Sequence, residues 1–98
     1  MEVVLSERVK TKLLISSHDE RERVQTWIDY LRNWEEDEFV QAHSVPLTVQ
    51  GKPMYLFRTT TELRIFYTVD LQSKTVYVID IATKDTILSS GSVSTGGS

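Results

Sequence analysis

Four cations stand where chemistry on an anion could use them. Arg64 lies in the most apolar run of the chain, LRIFYTVD, where packing alone has no need of a guanidinium. Arg58 ends the run before it, Lys52 sits in the turn before that, and Lys84 follows the last apolar run. Strand alternation puts Leu63, Ile65, Tyr67 and Val69 on one face, and Arg64, Phe66 and Thr68 on the other. An arginine beside an aromatic ring can take a phosphate while the ring meets a base, as RNA-binding surfaces do. With Arg58, Lys52 and Lys84 it could form a small basic surface. The competing reading is structural: Arg64 pairs with a carboxylate, Asp80 or Glu62, and only ties strands together.

Other chemistries find little support. The chain has no cysteine, which excludes disulfides and thiolate sites. His18 and His43 are isolated and lack acids at ligand spacing, so neither a metal nor another cofactor is expected. His18 is better placed to take part in a helix cap. There is no glycine-rich phosphate loop. No serine has a convincing histidine and acid arrangement. Trp27 and Trp34 fall on a helical stripe, where core packing accounts for both.

These residues need elements to position them. Residues 2–5 form a short apolar run that fits a strand. Ser6 fits an N-cap, with Val9 and Leu13 on one side of a first helix that stops near 15–17. Ser17-His18-Asp19-Glu20 has capping-box spacing and opens a second helix. Val24, Trp27, Ile28, Leu31 and Trp34 give that helix one apolar stripe. The acids at 35–38 would oppose the dipole at a helix C-terminus, which predicts an end near 34–37. Two helices joined so briefly should be antiparallel neighbours. From Phe39 the period changes. Strands are expected over 44–50, 54–58, 63–69 and 75–81, with turns at 50–53 and 70–74 and a loop at 59–62. The connections are too short for crossovers, so the sheet should be mainly antiparallel. The expected fold is therefore α+β: two N-terminal helices on one face of the sheet, in the order β-α-α-β-β-β, with room for a further strand.

At 98 residues the chain makes one domain, expected over 1–88, with a Ser/Gly-rich tail over 89–98 expected to be disordered. No apolar run approaches the roughly 20 residues that span a bilayer. The N-terminus lacks the charge and apolar pattern of a signal peptide, so a cytoplasmic location without membrane contact is expected. The net charge of −3 argues mildly against nucleic acid, but it is uneven. Residues 18–38 hold eight carboxylates against three arginines, and residues 47–84 hold five basic against three acidic residues. A positive site within the second segment is compatible with the overall sign.

Taken together, residues 3–81 resemble the RelE/ParE superfamily of bacterial type II toxins. The resemblance rests on VVLSERVKTKLL, DERERVQTWIDYL, Pro46-Leu47, Leu56-Phe57-Arg58, LRIFYTVD and the closing VYVIDI. It implies a toxin inhibited by an antitoxin protein whose amphipathic helix lies in an apolar groove. In the RelE-like branch the resemblance implies ribosome-dependent mRNA cleavage. In the ParE-like branch it implies binding to DNA gyrase. Cleavage needs a base on the ribose 2′-OH, cations on the scissile phosphate and an acid for the leaving oxygen. Arg64 falls on the family's central-strand arginine, Arg58 is close to another basic position, and Lys84 stands near a third. The chain also departs from the pattern. Residues 82–88 lack the tyrosine or histidine that usually follows the last basic position, Tyr55 and Phe57 stand where active RNases tend to have lysines, and the chain is acidic. A ParE-like or non-catalytic member that acts by binding protein, and an unrelated α+β interaction domain, are the alternatives.

Overall fold

The computed structural model describes residues 1–83 of the 98. A short strand, β1 (Glu2–Leu5), leads into α1 (Glu7–Ile15) and α2 (His18–Leu31). A one-turn helix, α3 (Glu38–Ala42), precedes β2 (Ser44–Val49), β3 (Lys52–Arg58), β4 (Arg64–Asp70) and β5 (Thr75–Ala82). The sheet order is β1-β5-β4-β3-β2. All pairings are antiparallel except β1 with β5. The expected α+β class holds, with β1 as the parallel edge and α3 as an addition.

Local chemistry sets the helix limits. The Ser6 and Ser17 hydroxyls accept from the N–H groups of Val9 and Glu20 and cap α1 and α2. Past Leu31 the chain tightens into bonds three residues back, as in Trp34 N–H to the Leu31 carbonyl at 3.1 Å. The second helix thus stops before the expected 34–37. The acid run serves a different end: Asp37 caps α3 by accepting from Val40 N–H, and Glu38 lies in the first turn of α3. There the dipole favours negative charge.

The core lies between the helices and one face of the sheet. Val9, Val24, Ile28, Leu31 and Val40 from the helices meet Phe57, Ile65, Tyr67, Val76 and Val78 from the strands. Trp27 is half-buried, stacked against Tyr30 and Phe39, which also touch each other, and edge-on to Phe57. Trp34 is half-buried too, and donates its Nε1–H to the Tyr67 hydroxyl at 2.9 Å. Tyr67 in turn donates to Ser44 Oγ at 2.6 Å. One phenol at the centre of the sheet therefore ties the loop after α2 to the edge strand β2. Burial raises the Tyr67 pKa above its ordinary 10.0, more than its bonds to Ser44 and Trp34 lower it.

Two outcomes follow. Tyr67→Phe strands the Trp34 N–H and the Ser44 hydroxyl, and should cost about 1–3 kcal/mol in urea unfolding. The raised pKa means that Tyr67 keeps its proton in the native state after the unfolded chain has begun to lose it. That stabilisation is intact below about pH 10 and is lost as pH rises through the folded pKa. Wild-type stability should fall more steeply above about pH 10 than that of Tyr67→Phe, as read from denaturation midpoints against pH.

Candidate functional site

Register places the two arginines together. Arg58 and Arg64 are Cα partners across β3 and β4. Arg58 N–H donates to the His43 carbonyl at 2.8 Å, so its backbone faces β2 and not β4. Arg58 and Arg64 thus form a non-hydrogen-bonded pair, the kind in which facing Cα atoms come within about 4.5 Å and side chains are closest. Both project from the sheet face opposite the helices. Arg58 is exposed and Arg64 half-buried. The same face carries Leu56 beside Phe66, then Val45, and Thr68 beside Tyr77, then Val4.

Asp80, one partner of the competing reading, does not pair with Arg64. Asp80 is held from the helix layer by Lys12 Nζ at 2.7 Å and Arg8 Nη1 at 3.4 Å. The cause is a bulge: Phe66 pairs with Asp80 while Tyr67 pairs with Val78, leaving Ile79 extra. Ser6 Oγ donates to the freed Ile79 carbonyl at 2.7 Å, which anchors the start of α1 there. Arg64 becomes the partner of Ala82. Its Nη1 instead donates to the backbone carbonyls of Thr61 at 2.9 Å and Leu63 at 3.0 Å. Among the described residues neither Arg58 nor Arg64 forms an ion pair.

The other expected cations fare differently. Lys52 shares the face, but it stands at the other end of the 7-residue strand β3 from Arg58, roughly 20 Å away. It belongs to the opposite end of the sheet and leaves the proposed basic surface. Lys84 lies outside the described residues, as does the 89–98 tail. Tyr55 and Phe57 face the helix layer, where Tyr55 stacks on Tyr67 at 5.3 Å and Phe57 is fully buried. His18 Nε2 meets Glu22 at 2.9 Å within α2, and His43 caps α3 with Nδ1 2.9 Å from the Phe39 carbonyl. Sequence reasoning passed over Thr59 and Thr61, whose hydroxyls organise the loop before Arg64. Their signal was three consecutive threonines in a loop without glycine or proline.

Concavities of about 410 and 390 Å³ lie elsewhere on the molecule, the first lined by residues of β2, β3 and β4 and the second by residues of α2 and the β3–β4 loop, and neither is lined by Arg58 or Arg64. The arginine pair sits on an open face, which suits an extended polymer better than an enclosed small molecule. Facing like charges also weaken a strand pair. Arg58→Gln should therefore raise the unfolding free energy at low salt by about 0.5 kcal/mol. The gain should shrink toward zero in 1 M salt, where the Debye length is about 3 Å. A loss of stability at low salt would mean that a partner neutralises the pair.

No protein-family model matches the chain, and no curated protein matches its sequence significantly. Solved structures do match. The chain is similar to a chain of the archaeal RelE–RelB complex from Pyrococcus horikoshii OT3, at 18% identity and a TM-score of 0.63, covering 85% of this chain and 93% of that one. It is also similar to a chain of the toxin–antitoxin complex RelBE2 from Mycobacterium tuberculosis, at 13% identity and a TM-score of 0.54, covering 85% and 96%. At these identities the likeness speaks for architecture, and it agrees with the topology described above. The chain has the RelE-like toxin fold.

Proposed function

We propose that this chain is the toxin of a toxin–antitoxin pair, and that its open sheet face contacts RNA through Arg58 and Arg64. The observation that carries this reading is the facing arginine pair without a carboxylate partner among the described residues. A fold gains nothing from two guanidinium groups side by side with no ion pair among the described residues, whereas a phosphodiester on that face offsets their repulsion. Phe66 and Leu56 lie next to the pair in register and offer apolar surface to a base. In the RelE-like activity, ribosome-dependent mRNA cleavage, Arg64 would stabilise charge on the scissile phosphate and Arg58 would hold the strand. Lys84 is the third cation of this reading. The two similar chains described above come from complexes, RelE–RelB and the toxin–antitoxin complex RelBE2, and an antitoxin is the partner proposed for this chain. Val45, Val49, Val4 and Tyr77 are each about two-fifths exposed on the same face, apolar surface that an amphipathic helix can cover.

A second reading has its own observation. Tyr55 and Phe57, at positions where active RNases tend to carry lysines, serve the core here. Without cations at those two positions, a member that acts by binding protein, such as DNA gyrase in the ParE-like manner, is the alternative.

Induced expression of the chain and of its Arg64→Ala variant decides between them, with growth, mRNA cleavage mapping and gyrase supercoiling as readouts. Growth arrest with mRNA cuts is expected, and Arg64→Ala should reduce cleavage roughly 10²–10³-fold, the usual loss for one charge-stabilising donor. Arrest with impaired supercoiling and no cuts would favour the gyrase reading. Absence of arrest, cleavage and any gyrase effect would remove both.

A further inference from the structure

The loop from Thr59 to Leu63 has no glycine or proline to fix its path, yet it delivers Arg64 in one orientation. Hydroxyls supply what the backbone lacks. Thr59 is 7% exposed, and its Oγ1 donates to the Leu63 carbonyl at 2.8 Å. The same oxygen accepts from Thr61 N–H at 3.2 Å and lies 2.9 Å from Thr61 Oγ1. Thr61 Oγ1 accepts from Leu63 N–H at 3.2 Å. Each hydroxyl has one proton and two lone pairs, so a single assignment satisfies the set. Thr59 donates to Leu63, Thr61 donates to Thr59, and both accept from the backbone.

This network fixes the two carbonyls that hold Arg64. Its Nη1 has two protons, and the Thr61 and Leu63 carbonyls take them at 2.9 and 3.0 Å. The Leu63 carbonyl uses its two lone pairs for the Thr59 hydroxyl and the Arg64 guanidinium. The opposite edge of the guanidinium, Nε–H with Nη2–H, has no hydrogen-bond partner among the described residues. That edge is the fork that matches two oxygens of a phosphate or carboxylate.

We propose that Thr59 is a positioning residue, whose hydroxyl locks the β3–β4 loop so that Arg64 offers its Nε/Nη2 edge to two oxygens of a phosphodiester. The choice of phosphodiester rests on the function proposed above. The locking of the guanidinium is independent of it. Thr59→Val keeps the side-chain shape and removes the hydroxyl, while Thr59→Ser keeps the hydroxyl.

The test uses the full chain and two readouts, after thermal melts show that each variant folds. NMR of the Arg64 guanidinium reports rotation about the Cζ–Nε bond. Rotation should be slow in wild type and Thr59→Ser and fast in Thr59→Val. Binding of a short single-stranded RNA, followed by fluorescence anisotropy, should weaken about tenfold in Thr59→Val, as for roughly one hydrogen bond, and stay near wild type in Thr59→Ser. Should Thr59→Val not fold, Thr61→Val removes the second hydroxyl of the network and carries the same comparison. Free rotation in wild type, or equal effects of Val and Ser, overturns the proposal. If the wild-type chain binds no RNA, the direct RNA contact proposed above falls, and the rotation rates alone decide the role of Thr59.

Discussion

The pairing register of β3 with β4 is the constraint on which the rest of this molecule depends. Phe57 opposite Ile65 and Tyr55 opposite Tyr67 put three large side chains into the helix-facing core and pack a fourth, Tyr55, against it. The same register puts Arg58 opposite Arg64 on the other face. A slip by one residue would turn the core rings outward and the arginines inward, so packing and site are fixed by one choice. The core supplies the energy that holds two like charges together. Full burial of a side chain such as Phe57 or Ile65 contributes roughly 1.5–3 kcal/mol, whereas a facing like-charge pair costs no more than about 1.

Around this register the fold turns Asp80 away from the pair. The bulge at Ile79 gives Asp80 to Lys12 and Arg8, and the bulge carbonyl is taken up by Ser6, which also caps α1. One irregularity in β5 thus anchors a helix and leaves Arg64 to backbone carbonyls. The acids at 35–38 are likewise used elsewhere, Asp37 on α3 and Glu35 with Lys74 at 2.9 Å. The acidic balance of the chain and the positive character of one sheet end are compatible because the charges occupy different elements.

Much of this was legible in the residues. Ser6 and Ser17 announced their helices, the stripe from Val24 to Trp34 announced a buried face, and alternation in LRIFYTVD separated Ile65 and Tyr67 from Arg64 and Phe66. What escaped depends on information that period and spacing do not carry. A bulge has no fixed sequence signal, so the partner of Asp80 could not be deduced. The acids at 35–38 read in sequence as the end of the helix before them, and two of them also open the helix after. Lys52 shares the face of Arg58, and only distance along the strand removes it. The threonine network is a three-dimensional closure of an ordinary-looking loop. Lys84 falls beyond the described residues, and its role is a proposal.

The salt dependence of binding to a single-stranded RNA tests most directly whether the arginine pair is an anion site. Removing one cation that neutralises a phosphate should reduce the slope of log affinity against log salt by about 0.7. The account predicts that Arg58→Gln and Arg64→Gln each lower the slope by about that amount, and that the double variant lowers it by about 1.4. A wild-type slope unchanged in all three variants would contradict it.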